Sequence, residues 1–288
     1  MNRRLMTSSK VNLNKCACFG VAGNFTGHLE QAGEAVDFTA IKTVEANAPK
    51  ALFPTYIPNA GGNTPAFLKI FPFNSRKIIF PENEQKIQIE PECALIFKAD
   101  WNEGRVSSLT PLYFGASNDV SIRKEGAKKI SIKKNWGKCS KGLSSYLIPL
   151  DSFTEQGILN RYRIASFMVR DNQVFPYGED SAVRDYSYIY EKLTDWLIEK
   201  LNNQKDEGPA EDINSYLTQS CCPHTLMISI GATRYTDFGE HNFLQKKDKS
   251  VVVLYPEDKY SSEEIVQMVK ENKLNKKDIS ALVQEVVL

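Results

Sequence analysis

Two glutamates separated by one residue, Glu90 and Glu92, stand at the boundary of a predicted strand in the stretch IQIEPECALIF. Side chains alternate along a strand, so positions i and i+2 share a face about 7 Å apart, and two carboxylates there can converge on one cation. Pro91 between them lacks an N–H and favours an edge position or a strand end. An E-x-E pair alone is more typical of a solvated strand face, so a metal site needs a third acid.

A third acid stands in FGASNDVSIRK, where Asp119 ends a predicted apolar strand. Hard divalent ions such as Mg²⁺ take oxygen ligands from a few carboxylates plus waters, and they leave coordination positions free for an oxygen-bearing substrate. The alternative is that Asn118 and Asp119 are only turn residues. The sequence therefore offers a three-carboxylate site without requiring one.

Two lysines, Lys138 and Lys141, follow in the Lys-rich run KKISIKKNWGKCSKG. Beside a metal, either could stabilise negative charge that develops on an enolate or a carboxylate. A run of like charges is more usually a solvated face, which is the competing interpretation of this stretch.

His28 lies in GVAGNFTGHLEQAGEA, a glycine-containing turn followed by a segment compatible with a helix. Glu30, Gln31 and Glu34 are within reach, so a His–carboxylate dyad that activates a water is a candidate. A hydrogen-bonded structural histidine is the alternative. His224 and His241 fit that alternative better, because neither has an acid cluster around it.

Short apolar or alternating runs predict that the chain is mostly β up to residue 170. The predicted strands are 67–70, 77–80, 86–89, 94–97, 112–116 and 162–169, followed later by 226–230 and 251–255. Residues 54–65 are rich in Pro and Gly and predict a loop. Apolar residues at helical spacing predict helices over 186–201 and 213–217, and Ser261 with Glu264 forms a capping box that opens another. The tail 278–288 is predicted to be one more helix.

The composition is that of an ordinary globular chain of 288 residues, with 36 Lys and Arg against 35 Asp and Glu, a formal charge of +1. This balance does not favour nucleic acid as a main partner. No apolar stretch is long enough to span a membrane, and the opening MNRRLMTSSK is followed by no signal-peptide core, so we expect a cytoplasmic protein. The cysteines lack zinc-site spacing and are expected to be reduced thiols.

The order of these motifs resembles the fumarylacetoacetate hydrolase family. The segments that carry the resemblance are GNFTGHLEQ, PAFLK, IEPECALIF, SNDVSIR, WGKCS, YGEDSAV, ISIGATRYTDFG and a final strand after Asp248. They cover roughly residues 18–255, and they are specific as a set rather than singly. Within the family, the chain looks like a bacterial subgroup to which no activity is assigned.

The resemblance implies an α+β, β-rich mixed fold of the fumarylacetoacetate hydrolase C-terminal-domain type with added helices. It implies a single domain over 1–288, with a core over 18–255, a helical insertion over about 186–222 and a helical extension over about 261–288. It also implies one Mg²⁺, with Mn²⁺ or Ca²⁺ as alternatives, held by Glu90, Glu92 and Asp119.

The family's further site residues carry over position by position. Lys138 matches the active-site lysine, with Lys141 as the alternative, and His28 matches the water-activating histidine of a mobile lid. Lys69 matches the lysine of F-L-K, and Arg123 and Thr233 fall on positions that contact substrate oxygens. Such enzymes act on 2-oxo or 1,3-dicarbonyl acids by C–C hydrolysis, decarboxylation or hydration, and are commonly homodimers.

One departure from the family pattern bears on the reaction. The small hydrolases of the family place a Glu three residues after the histidine, where this chain has Gln31, and Glu30 is one residue early. The leading expectation is a metal-dependent hydrolase or lyase in which the metal and Lys138 stabilise an enolate while His28, helped by Glu30, activates water. The alternative is a non-catalytic member that binds a metal and a metabolite or a protein partner.

Overall fold

Two large β-sheets dominate the structure, which is a computed structural model. It describes residues 11–39, 41, 43–83, 86–124 and 126–288, so the opening MNRRLMTSSK lies outside the described residues. In chain order the strands are β1 (Ala17–Ala22), β2 (Ala51–Tyr56), β3 (Lys77–Ile79), β4 (Ile87–Gln88), β5 (Pro91–Asn102), β6 (Arg105–Asn118), β7 (Ser121–Ile122), β8 (Gly142–Leu143), β9 (Ile148–Pro149), β10 (Tyr162–Arg170), β11 (Gln173–Ala182), β12 (Thr225–Ala232), β13 (Lys249–Pro256) and β14 (Ser280–Val287). The α-helices are α1 (His28–Gln31), α2 (Ser131–Lys134), α3 (Tyr190–Asn203), α4 (Ile213–Gln219), α5 (Asp237–His241) and α6 (Ser262–Lys270).

The sheets are mixed in strand direction. The first has the order β2-β1-β12-β5-β6-β8, with β9 also paired to β6, and the second has the order β11-β10-β13-β14-β3. The pairs β1 with β12 and β14 with β3 are parallel, and the other pairs in these sheets are antiparallel. Strands β4 and β7 form a separate two-stranded ribbon. This is the β-rich α+β fold that the sequence predicts.

A long hairpin, β5 and β6, forms the middle of the first sheet. Its turn is Glu103-Gly104, and both residues have positive φ, at 50° and 74°. Two such residues make the tight turn that matches the twist of the flanking strands. The hairpin pairs Asn102 with Arg105 at the turn and Pro91 with Asn118 at its far end. The residues just before β5 and just after β6 are therefore neighbours.

Buried residues of both sheets and of α3 pack into one apolar cluster. On α3, Leu193, Leu197 and Leu201 recur every four residues and are fully buried, as the helical spacing predicts. From the sheets the cluster includes Phe19, Leu52, Leu95, Phe97, Ile164, Val252 and Leu282. The elements that carry the polar residues described below are thus fixed by a common core.

Three expectations from the sequence are wrong. Ala66–Lys69 is a turn of 3-10 helix rather than a strand, and Pro54 lies inside β2 rather than in a loop. A proline is tolerated there because β2 is at the edge of its sheet. The tail is not a helix, because Ser280–Val287 forms β14, whose alternating burial reflects pairing with β13 and β3.

The region of the expected insertion contains α3 and α4, and the capping box of α6 is present with both of its hydrogen bonds. Among the described residues, no helix has both the length and the apolar character needed to cross a membrane.

Candidate metal centre

Three acids meet at the far end of the β5–β6 hairpin. Glu90 directly precedes β5, and Asp119 directly follows β6, so the pairing of Pro91 with Asn118 places them side by side. The Asp119 N–H donates to the Glu90 carbonyl oxygen at 3.0 Å. Glu92 stands opposite Ala232 of β12 on the other side of β5. The hairpin register therefore brings together acids that are far apart in the sequence.

The carboxylates of Glu90, Glu92 and Asp119 converge in the interior. One oxygen from each lies within 4.8 Å of the others, and the three residues are 2%, 1% and 2% exposed. The predicted clustering of these acids is what the structure shows. Buried carboxylates are costly unless cations or hydrogen bonds compensate them, so the surrounding groups determine what the cluster can hold.

Glu90 is the most strongly compensated of the three. Its Oε1 accepts from Arg123 Nη2 at 2.7 Å, and its Oε2 accepts from Lys134 Nζ at 2.5 Å. Burial alone would raise its pKa, but Lys134 and Arg123 outweigh burial and hold the pKa of Glu90 well below its usual range. Glu90 is therefore an ionised carboxylate.

Glu92 has the opposite environment. Burial, together with the negative charges of Asp119 and Glu90, raises the pKa of Glu92 well above its usual range. Its Oε2 accepts from the Gly231 N–H at 2.9 Å. Gly231 has a φ of +118°, and a Cβ at this position would lie 3.1 Å from the Asn24 Cβ, so glycine suits the close approach. Burial and the two neighbouring negative charges therefore favour the protonated form of Glu92.

Two lysine ammonium groups contact Asp119. Lys141 Nζ lies 2.8 Å from Oδ1, and Lys134 Nζ lies 3.0 Å from Oδ2, although that oxygen makes no hydrogen bond. Burial lowers the pKa of Lys141 to about 8, opposed by the charge of Asp119. For Lys134 the charges of Asp119 and Glu90 outweigh burial and raise the pKa. Lys134 is therefore a permanent cation at this site.

Arg123 links the three-acid cluster to a fourth acid. It donates to Glu34 and Tyr235 at 2.7 Å as well as to Glu90. Glu34 also contacts Lys133 Nζ at 2.9 Å. The predicted Arg123 is thus at the site, where Glu34, Glu90 and Tyr235 hold its guanidinium group.

His28 is 4% exposed, and its Nδ1 has no hydrogen-bond partner. With Glu34, Glu90, Glu92 and Lys134 it lines a cavity of about 10 Å³, the room of a single water. Burial lowers its pKa, and the charge of Glu90 opposes this shift. The imidazole is therefore neutral near pH 7 and can accept a proton.

Thr233 lies beside the strand start, where its N–H donates to the Pro91 carbonyl oxygen at 3.2 Å. Its Oγ1 is buried and has no hydrogen-bond partner. A buried hydroxyl without a partner next to the acids is a candidate contact for a bound oxygen compound.

Three predicted site residues are not at the cluster. Lys138, Lys69 and Glu30 are all exposed. Lys141, the alternative to Lys138, is buried and is the one of the two that contacts Asp119. Lys69 ends the 3-10 turn with its side chain in solvent. Glu30 faces outward on α1, and Gln31 is bound to Tyr235 and Glu240, so neither completes a dyad with His28.

Lys134 is the site residue that the sequence analysis does not single out. It belongs to the Lys-rich run, which hydropathy assigns to the surface. The available signal is its position two residues before Trp136, in a segment that follows Asp119 closely. Glu34, considered only as a dyad partner, is instead held by Arg123 and Lys133.

The donor set fits a divalent ion in type. Three converging buried carboxylates suit a hard cation such as Mg²⁺ or Mn²⁺. Thr233 Oγ1, which has no hydrogen-bond partner, and Asp119 Oδ2, which has only the ion pair with Lys134, are polar atoms that such a centre could use. The raised pKa of Glu92 also marks a place short of positive charge. The group at odds with an ion is Lys134, whose ammonium lies against two of the same carboxylates.

Solved structures share this fold at low sequence identity. One is "2-keto-3-deoxy-D-arabinonate dehydratase complexed with magnesium and 2,5-dioxopentanoate", at 14% identity and a TM-score of 0.52, covering 94% of this chain and 72% of that one. Another, from Oleispira antarctica and provisionally assigned as a fumarylacetoacetate isomerase/hydrolase, has 11% identity and a TM-score of 0.53, covering 94% and 93%.

A third is 5-carboxymethyl-2-hydroxymuconate delta-isomerase from Mycobacterium smegmatis, at 13% identity and a TM-score of 0.50, covering 94% of this chain and 78% of that one. These likenesses confirm the predicted fumarylacetoacetate hydrolase-type fold. No curated protein matches the sequence. Residues 34–286 match the family of unknown function DUF5718. This range contains the acids and the lysines described above. The chain therefore belongs to that family.

Proposed function

We propose that the protein is a Mg²⁺- or Mn²⁺-dependent hydrolase or lyase that acts on a small 2-oxo acid or 1,3-dicarbonyl acid. The observation that carries this proposal is the convergence of Glu90, Glu92 and Asp119 within 4.8 Å in the protein interior. It is supported by the fold, since the dehydratase structure with the same fold is described with magnesium and 2,5-dioxopentanoate.

Glu90, Glu92 and Asp119 would hold the ion, which when bound would polarise the oxygens of a 2-oxo acid and offset negative charge that develops on them. Lys141 adds a second positive charge at Asp119. Arg123 fixes the Glu90 carboxylate through Nη2. These residues give a preorganised positive environment at a site closed to bulk water, where electrostatic stabilisation is strongest.

His28 is the proposed base. Its neutral imidazole can accept a proton from water as the water oxygen bonds to a carbonyl carbon. In a C–C hydrolysis, the electrons of the cleaved bond pass to the leaving carbon as an enolate, which then takes a proton. The unpartnered Nδ1 and the small cavity beside it are what support this role.

Substrate access is proposed through a cavity of about 490 Å³ next to the acids. Four basic residues line it against three acidic ones, which leaves a small positive excess that suits an anionic acid; they are Lys86, Arg123, Lys124 and Lys133 against Glu34, Asp37 and Glu240. Glu34 lines both this cavity and the small cavity at His28. The ion pairs of Glu34 with Arg123 and Lys133 therefore form the wall that a substrate has to pass.

A second candidate function is binding without catalysis. It is favoured by the absence of a free carboxylate beside His28 among the described residues, because Glu30 is exposed and Glu34 is committed to Arg123 and Lys133. In that case the fold and the ion would serve to bind a metabolite or a partner protein.

The test is an assay of metal-stripped protein with added Mg²⁺ or Mn²⁺ on a panel of acylpyruvates and oxaloacetate, following loss of enol absorbance and release of pyruvate. We expect metal-dependent turnover that Glu92→Gln abolishes and that Glu199→Gln, a surface change on α3, leaves intact. Metal binding with no turnover on the panel would favour the binding function. Turnover that is unchanged by removal of the metal and by Glu92→Gln would refute the proposed metal centre.

We also propose that the chain forms a single fumarylacetoacetate hydrolase-like domain and a cytoplasmic homodimer, as the resemblance implies. Light scattering on the purified protein tests the dimer, and a monomeric mass would contradict it.

A further inference from the structure

Lys134 occupies the position between two of the three converging acids. Its Nζ lies 2.5 Å from Glu90 Oε2 and 3.0 Å from Asp119 Oδ2, and the side chain is only 3% exposed. We infer that Lys134 is a built-in competitor of the divalent ion, so that its ammonium has to leave the acids before the ion can bind. The inference rests on the metal site of the proposed function and adds a control on its occupancy.

The two cations cannot share this position. A Mg²⁺ ion held by Glu90 and Asp119 through these oxygens would bind at about 2.0–2.1 Å from each of them. Lys134 Nζ already lies at a comparable distance from both oxygens. An ion bound through the same Glu90 oxygen would therefore lie within about 4.6 Å of the ammonium nitrogen, close enough for strong repulsion between the two cations.

The charges around the site lead to the same conclusion. Glu34, Glu90 and Asp119 are already paired with four buried cations, Arg123, Lys133, Lys134 and Lys141. A divalent ion added with Lys134 in place would leave the buried group with an excess of positive charge, even with Glu92 ionised. Displacement of the Lys134 ammonium reduces that excess.

The surroundings allow Lys134 to move without unfolding its support. It is the last residue of α2, a helix of only four residues. The following Asn135 is anchored, because its Nδ2 donates to the carbonyl oxygens of Thr55, Phe67 and Ile70. The Phe53 ring centroid lies 5.2 Å from Nζ, so the ammonium has a cation–π partner besides the acids. Movement is thus expected in the side chain rather than in the backbone after it.

The experiment compares Mn²⁺ affinity, measured by titration calorimetry, in wild-type protein, Lys134→Met and Lys133→Met. Lys133 is the matched control, because it is a buried lysine of the same helix whose Nζ contacts Glu34 and Asp37 instead of the three acids. We expect Lys134→Met to bind Mn²⁺ at least about tenfold more tightly than wild type, and Lys133→Met to stay within about threefold, because Coulomb repulsion falls with distance.

The outcomes separate this inference from the proposed function. If wild type binds no Mn²⁺ and Lys134→Met does, Lys134 is the competitor but the wild-type protein is not a metal enzyme. Equal affinities in wild type and Lys134→Met overturn the inference and leave the metal site standing. No binding in either overturns both.

A second measurement does not depend on the variant folding. Crystals of wild-type protein grown with and without MnCl₂ show directly where Lys134 Nζ lies. We expect Nζ to leave Glu90 and Asp119 when Mn²⁺ is bound between them. Mn²⁺ bound by the three acids with Nζ unmoved would refute the competition.

Discussion

Two short segments of this protein follow opposite rules of burial. In α6 the residue types predict exposure, since Ile265 is fully buried while Glu263, Glu264 and Lys270 face solvent. Around α2 the order is reversed. Ile132 is 37% exposed, whereas Lys134 beside it is 2% exposed.

The difference comes from what each segment packs against. Helix α6 lies on apolar residues of the second sheet, so its own hydropathy decides which face is inside. Helix α2 lies on the acids that the β5–β6 hairpin gathers, and a buried ammonium is tolerated only because those acids offset its loss of hydration. Burial of charge is therefore decided by residues distant in sequence, which a local pattern does not contain.

The largest expected effect comes from removing the buried charge of Lys134 in α2. Lys134→Met removes the cation shared by Glu90 and Asp119. In metal-free protein we expect the free energy of unfolding to fall by about 3–5 kcal/mol, because buried charges lose their partner. Urea unfolding measures it. The control is Lys270→Met at an exposed position of α6, whose free energy of unfolding is expected within about 0.5 kcal/mol of wild type. Equal losses of stability in the two variants would show that Lys134 is not stabilised by the buried acids.

The second prediction compares the buried Ile265 of α6 with the partly exposed Ile132 of α2. Ile265→Ala in α6 should cost about 2–5 kcal/mol, because it removes buried methyl groups and leaves a cavity. Ile132→Ala beside the buried lysines should change stability by less than about 0.5 kcal/mol, because that side chain is partly in solvent. Thermal unfolding of both variants provides the measurement. A larger loss of stability for Ile132→Ala would show that Ile132 contributes to the apolar core.

The third prediction concerns an acid that α2 buries without a cationic partner. Glu211 Oε1 accepts from Ser131 Oγ at 2.7 Å, and burial raises the pKa of Glu211 from 4.5 to about 7. Between pH 4.5 and about 7, Glu211 keeps its proton in the folded protein and loses it in the unfolded chain. Its stabilising contribution is therefore complete below pH 4.5 and is lost as pH rises through 7, a change of about 3 kcal/mol.

Glu211→Gln removes that titration. Urea unfolding at a series of pH values should show the difference in stability between wild type and Glu211→Gln shifting in favour of the variant from pH 4.5 to above 7. A difference that stays constant over this range would show that Glu211 titrates normally in the folded protein.

The smallest expected effect concerns the N-terminal cap of α6. Ser261 Oγ accepts from the Glu264 N–H at 3.2 Å, and the Glu264 carboxylate accepts from the Ser261 N–H at 2.8 Å. Ser261→Ala should cost about 1 kcal/mol, because it leaves a helix N–H without its cap. Thermal unfolding is sensitive enough to detect it. No change would indicate that water replaces the cap fully.

The same contrast explains how much the sequence could predict. The convergence of Glu90, Glu92 and Asp119, the helix α3 and the capping box of α6 follow local periodicity or motif order, and the structure contains all of them. Lys138 follows Trp136 more closely in the sequence than Lys141 does, but sequence spacing does not show which of the two lysine side chains points towards the acids. The role of Lys134 depends on charges contributed by β5 and β6, so hydropathy assigns it to solvent.

The tail 278–288 shows a different limit. Its apolar residues suit either a helix or a strand, and the choice is made by a partner that lies far away in the chain. The Gln284 side chain of β14 contacts the Lys77 carbonyl oxygen of β3, 207 positions earlier. Only three-dimensional pairing could resolve that ambiguity.

This placement of β14 has a consequence for biosynthesis. β14 lies between β13 and β3, so the second sheet cannot close until residues 280–287 have been made. During translation β3 waits with an unpaired edge while some two hundred residues emerge, and exposed edges of this kind invite association with other chains. Chains that end before residue 280 are therefore expected to associate more readily than the full chain.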